Sequence, residues 1–86
     1  MKQIVTPDEA RDWLRYTEQK TVDMQLVTEL ALSMKHSWEP DKHLHQPVIV
    51  KTYVSGHGKV KSGNHRLLAL LIHNEPVEMH VRFEDY

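Results

Sequence analysis

Lys59-Val60-Lys61-Ser62-Gly63-Asn64-His65-Arg66-Leu67-Leu68-Ala69-Leu70-Leu71-Ile72-His73 is the stretch whose reading decides the fold. It opens on strand-like alternation, breaks at Ser62-Gly63-Asn64, and then becomes apolar on nearly every side from His65 to His73. A helix of that kind is covered by neighbours rather than half-solvated, so it belongs at the centre of a domain. Upstream, Pro47-Val48-Ile49-Val50 is a β-branched run entered through a proline, continued with polar alternation to Val54. Ser55-Gly56-His57-Gly58 is turn chemistry, so residues 47–61 read as a hairpin. Downstream, Asn74-Glu75-Pro76 stops the helix, and Val77, Met79, Val81 and Phe83 alternate against Glu78, His80 and Arg82 as a half-buried last strand.

The first half supplies helices. Met1–Val5 reads as a short edge strand, followed by Thr6-Pro7-Asp8-Glu9, a capping box with proline in the first turn. The helix that follows is expected to reach Arg15 or Tyr16 with Ala10, Trp13 and Leu14 inward, and Thr17–Lys20 is a polar connector. Val22, Leu26, Leu30 and Met34, with Val27 and Ala31 beside them, predict a second helix over 22–35. His36–Gln46 reads as an irregular polar loop in which Trp38 is either a plug over the core or exposed. Strands and helices mix without repeats, which predicts one small α+β domain spanning residues 1–86, a mixed sheet packed against three helices.

Length and composition agree: 86 residues, 40% of them hydrophobic and 27% charged, suffice for one domain. The chain has no cysteine, which excludes disulfides, thiolate metal sites and thiol nucleophiles. The apolar run Leu67–Ile72 is far too short to cross a bilayer, and the opening Met1-Lys2-Gln3-Ile4 is not that of a signal peptide, so a cytoplasmic protein with no membrane partner is expected. The net charge of −1 hides segregation: from Lys42 to Asn74 there is no Asp or Glu, but there are Lys42, Lys51, Lys59, Lys61, Arg66 and five of the seven histidines. An acid-free basic stretch in an otherwise acidic chain points to an anionic ligand: nucleotide, phosphate or nucleic acid.

The break at residues 62–64 is where that anion is expected. The first amides of a helix lack internal partners and carry partial positive charge. Gly63 lets backbone approach a ligand, and Ser62 or Asn64 is expected to cap the helix while offering a polar group to phosphate. Arg66 adds a charged fork, His65 one or two donors, and Lys59 and Lys61 long-range attraction.

The same segments carry a resemblance. Leu30-Ala31-Leu32-Ser33-Met34, then Gln46-Pro47-Val48-Ile49-Val50, then Ser62 to Leu70, then Pro76-Val77 is similar to the ParB/sulfiredoxin superfamily over residues 22–83. The resemblance implies that Gly63, Asn64, His65 and Arg66 form a turn binding nucleotide phosphates, of CTP in ParB-type members and ATP in sulfiredoxin, with Mg2+ as companion ion. Where sulfiredoxin has its catalytic cysteine this chain has Asn64, which excludes sulfiredoxin activity. The sequence as read also lacks the helix-turn-helix and dimerisation regions of full ParB proteins, so operator binding is not expected. Freestanding copies of such domains occur in phages and plasmids, often labelled ParB-like nucleases.

Two further readings stand beside this one. A kinase or hydrolase needs a carboxylate as base, and Glu29 and Glu39 are the catalytic candidates, with Asp41 and Glu75 the other acids that would have to approach. His43 and His45, with His36 and His57, have the spacing of a metal site, but no carboxylate or cysteine lies beside them and no metal is expected. The alternative function is a non-catalytic module whose basic middle contacts nucleic-acid backbone (DNA or RNA) or an acidic host protein. The net charge and few aromatic residues argue against a dedicated nucleic-acid binder.

Overall fold

The computed structural model describes residues 1–18 and 21–85. Strand β1 (Lys2–Val5) leads into helix α1 (Pro7–Arg15), then α2 (Met24–His36), a 3-10 turn (Pro40–His43), β2 (Val48–Thr52), β3 (Gly58–Ser62), α3 (Asn64–His73) and β4 (Val77–Asp85). The sheet runs β1-β4-β2-β3, with β4 parallel to β2 and the outer pairs antiparallel. This is the mixed α+β architecture expected, with β1 at an edge. No helix among the described residues is long and apolar enough to cross a membrane.

Local chemistry explains the ends of these elements. At α1, the Glu9 amide donates to Thr6 Oγ1 at 3.1 Å and the Thr6 amide donates to Glu9 Oε1 at 3.0 Å, completing the capping box. Helix α2 begins two residues later than its apolar run because Asp23 caps it, accepting from the amides of Gln25 and Leu26 at 3.1 and 3.2 Å. Helix α3 ends at Asn74, whose left-handed φ of 61° is one a non-glycine residue adopts chiefly when it is Asn or Asp.

One face of the sheet (Val5, Val48, Val50, Val60, Met79, Val81) packs with Ala10, Trp13, Val27, Ala31, Met34, Leu67, Ala69 and Leu70 from all three helices into a single core. Several details correct the sequence reading. The buried stripe of α2 is Val27, Ala31 and Met34, while Leu26 is exposed. Ile72 is 57% exposed, because it lies across α3 from the face that holds Arg66, Leu67, Ala69 and Leu70. Phe83 keeps its inward register but only meets Trp13 edge to face, at 5.8 Å. His36 closes α2, and the expected irregular loop contains the 3-10 turn. Trp38 resolves as a plug: it packs against the core, donates from Nε1 to the Glu78 carbonyl at 2.6 Å and stacks on His43. Of the Thr17–Lys20 connector, residues 19 and 20 lie outside the described residues. Thr17 itself is structural: its hydroxyl accepts from the Val60 amide at 2.9 Å, satisfying an outward-facing donor of edge strand β3.

The passage from β3 to α3 is the tightest point of the fold. Registers slip by one between Ile49 and Val50, with Ile49 facing Ser62 and Val50 facing Val60, so Lys61 is a bulge residue. The chain then turns through Gly63 at φ 102°, where an added Cβ would lie 2.8 Å from Val48 Cγ2 and 3.2 Å from Val48 Cα. Both conformation and space demand glycine. Gly63→Ala is expected to cost about 2 kcal/mol. Thermal unfolding followed by circular dichroism should then show a melting temperature lower by roughly 10 °C.

Candidate anion-binding groove

A groove of about 340 Å³ opens where α2, the end of the 3-10 segment and the start of α3 meet, lined by Leu26, Leu30, His43, Gln46, Gly63, Asn64, His65 and Arg66. No acidic residue lines it.

Two helix starts converge here, and they differ. Helix α2 is capped by its own carboxylate, Asp23. Helix α3 has Gly63 at its N-cap and no side-chain cap, so the first-turn amides of Asn64, His65 and Arg66 bring an uncompensated positive dipole end to the groove. Neither Ser62 nor Asn64 takes the expected capping role: Ser62 is exposed at the end of β3, and the left-handed turn at Gly63 replaces a side-chain cap.

Arg66 is the centre of the site. It falls in phase with Ala69 and Leu70 on the buried side of α3 and is only 8% exposed. Its Nη1 is fully buried without a hydrogen-bond partner among the described residues, and so is Asn64 Oδ1. Burial alone lowers the Arg66 pKa from its usual value, with no neighbouring carboxylate acting against it. A buried guanidinium without a counter-charge costs free energy that folding has to offset elsewhere. The arrangement sets a strong donor, a row of first-turn amides and one acceptor side by side in the groove.

The remaining expected residues divide. Gly63, Asn64, His65 and Arg66 come together as expected. His65 is partly spent, however: its Nε2 accepts from the Asp23 amide at 3.1 Å, which places the proton on Nδ1 and leaves one donor at most. That bond ties the two helix starts together across 42 residues of chain. Lys59 and Lys61 do not reach the groove. They project from the other side of the sheet, where Lys61 pairs with Glu84 at 3.4 Å, because Val60 between them points into the core. Glu29 is on the exposed side of α2, bonded by Gln25 at 3.5 Å, and Glu39 pairs with Lys42 at 3.6 Å. The structure brings neither carboxylate to the groove.

Among the described residues no three His, Cys, Asp or Glu side chains cluster as metal ligands. His57 stacks on Tyr53 at the hairpin turn, outside the groove that His43 lines. His43 and Gln46 are polar groove residues outside the anion seat expected from the sequence. Their signal was weak, since both precede β2 in a segment without regular periodicity. His43 is placed by its stack on Trp38 at 5.2 Å, and the 3-10 turn beneath it is held to the sheet by Asp41, which lies 2.8 Å from His80 Nε2 and 3.6 Å from Lys2 Nζ.

Comparisons with protein-family models, with curated proteins and with solved structures find no match to this chain. The groove's own geometry therefore carries the functional argument.

His43 gives the groove a titration signature. Burial first, then the charges of Arg66 and Lys42, hold its pKa below the ordinary 6.5. The unfolded chain takes up the proton at that ordinary value while the folded chain resists it. Stability is therefore full above it, falls as the pH drops through it, and levels off below the depressed folded value. Urea unfolding at about pH 7.5 and about pH 5.5 should show that fall, and His43→Gln should flatten it. Arg66→Met should also reduce it. The same variant should raise the stability of the ligand-free protein by about 1 kcal/mol, since an apolar side chain of similar length replaces an unpaired buried charge.

Proposed function

We propose that this chain is a phosphate-ligand-binding domain that seats a nucleotide, or another small phosphate ester, at the start of α3. One observation carries the reading: the Arg66 guanidinium is buried, lacks a partner among the described residues, and lines an acid-free groove beside an uncapped helix start. A phosphate group would accept from Nη1 of Arg66 and from the first-turn amides, and in a dry site such charge-assisted bonds are stronger than in water. The orphaned Asn64 Oδ1 would take a hydroxyl or amino hydrogen of the same ligand, which favours an ester or nucleotide over bare phosphate. Leu26 and Leu30 supply an apolar wall and Gln46 an amide able to read a polar edge, in a volume of about 340 Å³ suited to a nucleotide-sized molecule.

The resemblance to the ParB/sulfiredoxin superfamily points the same way, since Gly63–Arg66 occupy the positions of that family's phosphate-binding turn. The lining donors fit phosphate oxygens and not a resident magnesium ion, which prefers carboxylate oxygens. With Glu29 and Glu39 both outside the groove, the reading is ligand binding by this chain, with neither of those carboxylates at the phosphate. Thermal unfolding with CTP, ATP and GTP, each with and without magnesium, tests it. A ligand at about 100 times its Kd should stabilise the protein by about 2.7 kcal/mol, and Arg66→Met should abolish that shift. No shift with any nucleotide, or an unchanged shift in Arg66→Met, would overturn the proposal.

A further inference from the structure

Two histidines line the groove at Arg66, and the fold holds them in different ways. His65 is held by a hydrogen bond: its Nε2 accepts from the Asp23 amide at 3.1 Å, so protonating it would set one N–H against another. His43 is held by a stack. Its ring lies 5.2 Å from that of Trp38, with planes 21° from parallel, and Trp38 is pinned in turn to the Glu78 carbonyl at 2.6 Å. A stacked ring gains a proton without giving up its support.

The surroundings keep that ring neutral in the ligand-free groove. Burial first, then the charges of Arg66 on α3 and Lys42 on its own turn, act against a proton on His43. The nearby acids do not offset them. Asp41 is engaged by His80 of β4 at 2.8 Å and Lys2 of β1 at 3.6 Å, and Glu39 pairs with Lys42 at 3.6 Å. Helix α2 gives the groove only Leu26 and Leu30.

Charge matching then separates two kinds of phosphate. Arg66 brings one positive charge, and the uncapped start of α3 adds about half of another. A phosphodiester carries a single negative charge, which these groups match. A terminal phosphate carries nearly two near neutral pH, because its second ionisation falls at about pH 6. The excess calls for one more cation.

We infer that the groove selects a terminal phosphate over a phosphodiester, and that His43 takes up a proton as the dianion binds. The inference rests on the phosphate-binding reading of the groove. A dianion beside the ring favours its protonated form, and the new N–H is a charge-assisted donor to a phosphate oxygen. Linkage fixes the sign: a complex that holds an extra proton weakens as the pH rises.

Isothermal titration calorimetry of the full chain with CMP, AMP and GMP, each beside the methyl ester of its 5′-phosphate, tests this. At about pH 7, comparing Tris with PIPES buffer should reveal uptake of up to about one proton per site for the monophosphate that binds. Its methyl ester should bind roughly tenfold more weakly, without uptake. Between about pH 7 and pH 8.5 the ligand's own charge is nearly constant, and affinity should fall by up to about tenfold per pH unit. His43→Gln should abolish the uptake, flatten the pH profile and bring the two esters to similar affinity. Binding without proton uptake, equal affinity for the methyl ester, or unchanged uptake in His43→Gln (a proton carried by the ligand itself) would overturn this inference alone. No binding of any of the six compounds, or undiminished binding by Arg66→Met, would overturn it together with the reading beneath it.

Discussion

The close approach of Gly63 to Val48 is the constraint on which the rest of the molecule depends. A backbone turn at φ 102° with no room for a Cβ lets β3 pass directly into α3 over the start of β2. Because the turn is made by backbone alone, no side chain is left to cap the helix, and its first amides remain available. The same turn sets the rotation of α3. Leu67 and Leu70 enter the core, and Arg66, one position before Leu67, is carried inward with them. The candidate site is thus a by-product of how the sheet hands over to its central helix. A lateral shift of the turn would both open the core and expose the guanidinium.

Electrostatics are arranged around that helix in two unlike ways. In the groove, burial first and then the charges of Arg66 and Lys42 hold His43 below its ordinary pKa, and burial disfavours the charge of Arg66 itself. On the outer sheet face, Lys51, Lys59 and Lys61 share their surface with Glu84, which stands in register with Lys51 and lies 3.4 Å from Lys61. Both sets of basic side chains lie within the acid-free segment from Lys42 to Asn74, and folding divides that segment between the two faces of one sheet.

Much of this was legible in the chain before folding. The capping box at Thr6–Glu9, the hairpin over 47–61 and the buried helix after Ser62-Gly63-Asn64 rest on contacts within a few residues, and local chemistry writes such contacts directly. The turn at Gly63–Arg66, where an anion is expected, was legible for the same reason, since a glycine turn before an apolar helix is a local pattern. The phase of Arg66 with Ala69 and Leu70 was also present in the sequence, as a sign that its side chain turns inward. Less legible were the ends of apolar runs. Leu26, Ile72 and Phe83 have the pattern of core residues, and they are exposed because no element of this small domain remains to cover them.

By itself, then, the sequence determined the elements, their mixed architecture and the helix start at which an anion is expected, because spacing of two and of 3.6 residues and the conformational demands of glycine act over short range. Only the tertiary structure decided which charges meet. Val60 pointing inward sends Lys59 and Lys61 to the face opposite Arg66, and the Trp38 plug brings His43 over the groove. The Asp23 amide, 42 positions away, claims one nitrogen of His65. These are long-range juxtapositions set by strand register and helix packing, and no window of neighbouring residues contains them.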